Sequence, residues 1–238
     1  MKIKINHSPN YSDKIRPKKS IKFIIIHYTG MQSEIESVNR LKSNVSKVSC
    51  HYLINRKGLI TQMVKDNRVA WHAGKSKWKN FKNLNECSIG IELVNKGHEF
   101  GYEKFSNIQI KSLIDLCRDL KKKYIVKSEN FLGHYDIAPL RKLDPGENFP
   151  WKRLSKYNLG YWYEKSKKKL KLTKKDEIKN LFFKNLFKIG YRYFKVNKRV
   201  AKDTFIIKSF QQHYFPQNVS GKIDQKTLNI SHFLASKL

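Results

Sequence analysis

No stretch of this chain approaches the roughly 18 consecutive apolar residues that a bilayer-spanning helix requires. The N-terminal MKIKINHSPNYSDKIRPKKS likewise has neither the apolar core nor the small-residue cleavage site of a secretory signal. No integral membrane segment is therefore expected. The cytoplasm is the favoured compartment, the periplasm or exterior being reached only by another route. Cysteine is scarce: Cys50, Cys87 and Cys117 are odd in number, have no CxxC spacing and lie in apolar stretches. That excludes a disulfide framework and predicts buried free thiols. Acidic residues are few, 19 against 50 Lys and Arg, for a formal charge of +31. Two readings fit: attraction to an anionic polymer, nucleic acid or cell-wall material, or a chain rich throughout in Lys, Asn and Ile. The lysines are spread along the chain with no helix-turn-helix, RNP or zinc-finger pattern, so no specific nucleic-acid partner is expected.

What is present suffices for one good-sized domain and a small second one: 238 residues, 39% hydrophobic and 13% aromatic. After a polar, proline-containing leader, Ile21 to Ile26 is a β-branched run that reads as a strand buried on both faces, ending at His27-Tyr28-Thr29-Gly30. A histidine at a strand end has a fixed backbone and an accessible ring. Ser33 to Leu41 reads as a short amphipathic helix, with Ser33 as N-cap and Ile35, Val38 and Leu41 as its apolar stripe. Ser49 to Met63 reads as a hairpin turning at Arg56-Lys57-Gly58. Its His51 suits a core or hydrogen-bonded role. In the loop Val69 to Trp78, Trp71 and Trp78 either line a groove or cover the core edge, and His72 is placed to hydrogen-bond a ligand.

Ser88 to Val94 (SIGIELV) is a further strand whose apolar run is interrupted by Glu92, a carboxylate costly to bury unless something pairs with it or needs it. Desolvation near a cation tunes such a group for proton transfer. Asn107 to Lys123 reads as a surface helix with a lysine-rich end suited to its dipole. Leu132 to Trp151 then sets His134, Lys142 and Asp144 among Pro139, Pro145, Pro150 and two glycines, a mixture that stiffens a loop and breaks regular helix. His134 and Asp144 are zinc-ligand types. A third ligand must come from elsewhere, and the alternative is a structural turn with solvated side chains.

Taken together, HYTG, SCHYLI, WHAG, SIGIELVN, GHYDIAP, KLDPG and FPW, ordered between Ile21 and Trp162, resemble the type 2 N-acetylmuramoyl-L-alanine amidases, whose superfamily includes phage amidases and peptidoglycan recognition proteins. The resemblance implies an α/β fold with a mixed central sheet flanked by helices. It implies Zn2+ held by His27, His134 and Asp144, with Glu92 as general base and Lys142 as oxyanion stabiliser. Tyr28, Trp71, His72 and Asn95 become substrate-binding candidates. Aspartate at 144, where phage and animal relatives carry cysteine, fits the branch that cleaves muropeptides, 1,6-anhydro forms included. The implied reaction is hydrolysis of the amide between the lactyl group of N-acetylmuramic acid and L-alanine, in peptidoglycan turnover or recycling. A non-catalytic peptidoglycan-binding protein is the alternative, and such relatives lose metal ligands.

Glu164 to Glu177 is a basic run suited to a linker, so the expected division is 1–163 for catalysis, 164–175 for the linker and 176–238 for a small all-α domain. Three helices are predicted there: Asp176 to Ile189, Ala201 to Tyr214, and Asp224 to Leu238. Phe205, Ile206, Phe210 and Tyr214 form one apolar stripe, and Asp224 is an N-cap. IKSFQQHYFP and SGKIDQKTL resemble a three-helix peptidoglycan-binding domain, either binding wall or buttressing the enzyme. The partner expected is peptidoglycan or a muropeptide, and the protein is expected to act as a monomer.

Overall fold

The computed structural model describes residues 2–164 and 174–238. Its strands are β1 (Ile3–Ile5), β2 (Tyr11–Ser12), β3 (Phe23–Tyr28), β4 (Tyr52–Ile54), β5 (Ile60–Gln62), β6 (Val69–Ala70), β7 (Lys77–Trp78), β8 (Phe81–Lys82), β9 (Ser88–Leu93) and β10 (Phe131–Gly133). Its α-helices are α1 (Glu34–Lys42), α2 (Asn107–Tyr124), α3 (His134–Ile137), α4 (Trp151–Ser155), α5 (Lys175–Ile189), α6 (Asp203–Tyr214) and α7 (Gln225–Ser236). Six strands form one mixed sheet in the order β1-β5-β4-β9-β3-β10, with β9 and β10 parallel to β3 on either side. The β4-β5 pair is the predicted antiparallel hairpin. This is the mixed α/β architecture expected.

The alternation of β3 explains why both its faces are apolar. Ile24 and Ile26, with Ile89 and Ile91 of β9, meet Ile110, Leu113, Ile114 and Cys117 of α2. Phe23 and Ile25 point the other way, into a cluster shared with Trp78, Phe182, Leu186, Tyr191 and Phe210. The C-terminal helices thus cover the second face of the sheet, which burial of a continuous β-branched strand demands. By the same parity His27, Gly90 and Glu92 lie on this second side.

Helix starts follow their caps. Ser33, Ser106 and Asp224 accept backbone N–H bonds from Glu36, Gln109 and Thr227. Several side chains depart from the predicted stripes: Ile35 and Phe205 are exposed at 73% and 46%, and Cys87 is only half-buried. Ile35 faces solvent because α1 covers the sheet edge only through Val38 and Leu41, while Cys87 packs on the margin of the shared core. The leader is structural too. Ile3–Ile5 adds an edge strand to the sheet, and buried Arg16 donates to the carbonyls of Asp66, Asn85 and Ser88.

The predicted linker, 164–175, falls mostly outside the described residues. Beyond it, α5, α6 and α7 match the three predicted helices to within two residues, yet their core is not their own. Tyr191 packs edge-on against Trp78 at 4.8 Å between ring centroids, and Gly190 O accepts from Lys79 N at 2.8 Å. Polar contacts cross as well: Asp136 accepts from Gly133 N at 2.8 Å, Tyr191 OH at 2.5 Å and His213 Nδ1 at 2.7 Å, and Ser209 Oγ donates to Tyr135 O. Gly190 is the tightest point, with φ +141° and a hypothetical Cβ 2.5 Å from Trp78 Cε2. Gly190→Ala therefore strains backbone and overpacks the junction, and destabilises the chain by about 1–3 kcal/mol. Denaturant melts followed at the sheet and at the C-terminal helices will shift together, because one cluster serves both.

Candidate metal centre and catalytic cleft

The sheet's register assembles the centre. Gly133 of β10 pairs with Ile26 of β3, so His134, the next residue, emerges beside His27. Asp144 returns from the proline-rich loop, tied down where its carbonyl accepts from Tyr135 N at 2.9 Å. The donor atoms converge: His27 Nδ1 is 2.9 Å from His134 Nδ1 and 2.9 Å from Asp144 Oδ2, and His134 Nδ1 is 3.0 Å from Asp144 Oδ2. All three residues are buried. The regular helix that the loop's composition argues against is present as a single turn, α3, ending before Pro139.

With both rings neutral, these contacts cannot be hydrogen bonds. Leu84 O only accepts, so Ser88 Oγ donates to it (2.5 Å); His72 Nε2 then donates to Ser88 Oγ (3.2 Å), leaving His72 Nδ1 to accept from His27 Nε2 (3.0 Å). His27 Nδ1 is therefore a bare lone pair. For His134, both Nη2 protons of Arg141 are taken by Ala73 O and Lys75 O, so His134 Nε2 donates to Ala73 O at 3.1 Å and its Nδ1 is bare as well. Two nitrogen lone pairs and a carboxylate oxygen thus face one another without a proton. Only a cation reconciles them, and these three residues are a cluster able to hold a metal ion. The spacing is close to the about 3.3 Å edge of a tetrahedral site with ~2.05 Å bonds.

The electrostatics agree. Burial, then the neighbouring His134, lowers His27 to about 4, keeping it neutral. Burial raises the carboxyl of Asp144, but positive charge at His134 and ring N–H groups turned toward it more than offset burial and hold it well below the usual carboxylate range, so the cluster calls for positive charge at its centre. Glu92 is paired in register with His27 across β3 and β9. Its Oε2 is shielded from solvent and has no hydrogen-bond partner. Burial, then the charge of Asp144, pushes its carboxyl up to about 8, against the pull of Lys142 and Arg40. Glu92 and Lys142 line a cleft of ≈ 370 Å³ together with Tyr28, Arg40 and Trp71.

The expected substrate-binding residues separate into two pairs. Tyr28 and Trp71 are half-buried on the cleft wall, Tyr28 OH donating to His98 Nδ1 (2.8 Å), whose Nε2 donates to Glu147 (3.1 Å). Asn95 is not on that wall. Its amide donates to Glu103 O and its Oδ1 accepts from Gly97 N, so it braces the loop after β9. His72 touches the cleft, but both ring nitrogens are committed, one to His27 and one to Ser88. Its ring nitrogens thus brace the candidate metal ligand His27 while the ring itself lines the cleft. Of the two readings open for Trp78, the core one holds: it is buried in the shared core. His51 is buried as expected, accepting from Gly90 N at 3.0 Å. The sequence does contain a signal for the role of His72: Gly90 interrupts a strand, and a Cβ there would lie 2.3 Å from the His72 ring.

A family profile described as N-acetylmuramoyl-L-alanine amidase matches residues 17–147. The chain is 34% identical over 232 residues to the N-acetylmuramoyl-L-alanine amidase AmiD of Escherichia coli (strain K12), covering 91% of this chain and 83% of the relative. It is similar in structure to E. coli AmiD in complex with the substrate anhydro-N-acetylmuramic acid-L-Ala-D-gamma-Glu-L-Lys (TM-score 0.80, 31% identity, 95% of this chain and 92% of that one). It also resembles AmpDh3 of Pseudomonas aeruginosa in complex with anhydromuramic pentapeptide (TM-score 0.81, 28% identity, 96% of each chain). The profile spans more than half of the sequence and the relative nearly all of it, and the lone-pair cluster and half-buried glutamate fall within the matched span: the chain belongs to the type 2 N-acetylmuramoyl-L-alanine amidase family.

Proposed function

We propose that this amidase uses zinc held by His27, His134 and Asp144 to cleave the amide between the lactyl group of N-acetylmuramic acid, 1,6-anhydro forms included, and L-alanine. The observation that carries the reading is the convergence of three metal-donor side chains beside a half-buried Glu92 whose Oε2 is shielded from solvent and has no hydrogen-bond partner. The two relatives solved with anhydro-muropeptides support the substrate class. Two imidazoles and one carboxylate are the donor set of a catalytic zinc site with an open position. Zinc, when bound there, polarises the amide carbonyl and acidifies water.

The chain's own residues do the rest. Glu92 takes a proton from the attacking water and passes it to the nitrogen of the departing alanine. Its desolvated position raises its affinity for that proton, as a group that must both take and give one requires. Lys142 faces the same cleft and stabilises negative charge developing on the carbonyl oxygen. Tyr28 and Trp71 orient the sugar and peptide. The His72-Ser88-Leu84 chain holds the His27 ring with its Nδ1 lone pair aimed inward.

His27→Ala and Asp144→Ala are expected to lose both zinc and activity. Glu92→Gln is expected to retain zinc and lose turnover by about 10²–10⁴-fold. Metal analysis beside mass spectrometry of digested anhydro-muropeptide separates the outcomes, and undiminished turnover by zinc-free Glu92→Gln protein would sink the mechanism. His72→Phe removes the acceptor for His27 Nε2 and is expected to weaken zinc binding about 10–100-fold, read as a dissociation constant by chelator competition; unchanged affinity would show the relay is idle.

The pH dependence has a definite sign. Glu92 must be ionised to accept a proton, so turnover rises with pH through its ionisation. A dication beside it brings that midpoint below 8. Lys142 also favours the ionised form, so Lys142→Met raises the pKa of Glu92 and moves the acid limb of kcat/KM to higher pH. A limb that stays put or moves down in the pH-rate profile contradicts this assignment.

A further inference from the structure

The β7-β8 hairpin and the segment following α5 enclose a second groove of ≈ 690 Å³ that shares no lining residue with the catalytic cleft. One wall carries Lys77, Lys79 and Lys82, the other Arg192, Lys195 and Lys198. No aspartate or glutamate lines it, and among the described residues none of these six cations is in an ion pair. Phe81 is 38% exposed at the lip, and Tyr193 lies with its ring 5.4 Å from Lys77 Nζ. The walls are distant in the chain and are held in place by the Lys79 N to Gly190 O bond and the Trp78-Tyr191 contact beneath them.

Like charges around a concavity repel one another and focus their field into it. Apart from the Lys77-Tyr193 contact, no ion pair among the described residues offsets the gathered lysines, whereas an anionic ligand relieves the repulsion. Aromatic faces between the cations suit a ligand that also presents flat, weakly polar surfaces. Peptidoglycan combines both: sugar rings carry hydrophobic faces, and a γ-linked glutamate in each stem peptide leaves its α-carboxylate free.

We infer that this groove is a second binding site, which takes the polymeric peptidoglycan strand beside the stem being cleaved. The lysines pair with carboxylates of neighbouring stems, and Phe81 and Tyr193 pack on sugar faces. The inference rests on the amidase reading above. It makes the enzyme's grip on the polymer electrostatic and leaves turnover of a single small muropeptide independent of the groove.

The test uses the full chain with Lys77→Gln, Lys82→Gln, Lys195→Gln and Lys198→Gln combined. It compares pelleting with purified sacculi at 4 °C over a range of salt, digestion of sacculi, and turnover of a soluble anhydro-muropeptide. The variant is expected to bind and digest sacculi at least about tenfold less well at low salt, with a flatter salt dependence. Its turnover of the soluble substrate is unchanged, which also reports an intact fold. Phe81→Ala weakens sacculus binding without altering its salt dependence. Wild-type-like binding by the fourfold variant overturns the inference, as does loss of binding to a single-stranded oligonucleotide with sacculus binding intact. Failure of the parent protein to cleave the soluble muropeptide overturns the amidase reading instead.

Discussion

Three metal-donor atoms meeting at the end of the parallel strands of a mixed sheet are the constraint on which the rest of this structure depends. Left to themselves, His27 Nδ1, His134 Nδ1 and Asp144 Oδ2 would repel, and a fold that holds them 2.9–3.0 Å apart must be built to resist that. The resistance comes in layers. The β3-β10 register fixes two backbones side by side; the bond from Tyr135 N to Asp144 O fixes the third; and the outward-facing nitrogens of both rings are bound to groups that settle where their protons lie. Rigid elements supported by a second layer of hydrogen bonds hold a site more closely than loops alone.

The same economy places the acid-base group. Because β9 is in register with β3, the residue opposite His27 falls on the cleft side, and there the chain spends a glutamate among isoleucines and leucines. Gly90, two residues earlier on the same face, leaves room for the ring of His72 to lie across the strand. One face of one strand thus supplies both the proposed proton carrier and the space through which the candidate metal ligand is braced.

Much of this was legible in the chain. The apolar run ending in His27, the isolated charge at Glu92 and the proline-stiffened loop with His134, Lys142 and Asp144 each carry a local physical signature, and the structure brings them together. Non-local facts were not. His72 reads as a ligand-binding residue until its two ring partners, 45 residues away at His27 and 16 away at Ser88, are known. Asn95 likewise stands in the sequence as a substrate-binding candidate, while its side-chain partners lie in the loop after β9. Ile3–Ile5 is too short to declare itself a strand without β5 to pair with. Ile35 and Phe205 keep helical spacing yet face solvent, because periodicity names a face without naming what covers it.

Asp136 draws the two ends of the molecule into one dependency. It sits two residues beyond His134, and its carboxylate gathers Gly133 N from the strand before the site, Tyr191 from the segment after α5 and His213 from α6. The C-terminal helices are thereby anchored to the very turn that presents a metal donor. Shortening the chain after residue 164, or grafting another protein's tail in its place, would strip a buried carboxylate of two of its three donors a single helical turn from the chemistry. In this protein the tail and the active-site turn are packed as a unit, and a graft that kept this junction would have to carry residues 136, 191 and 213 together.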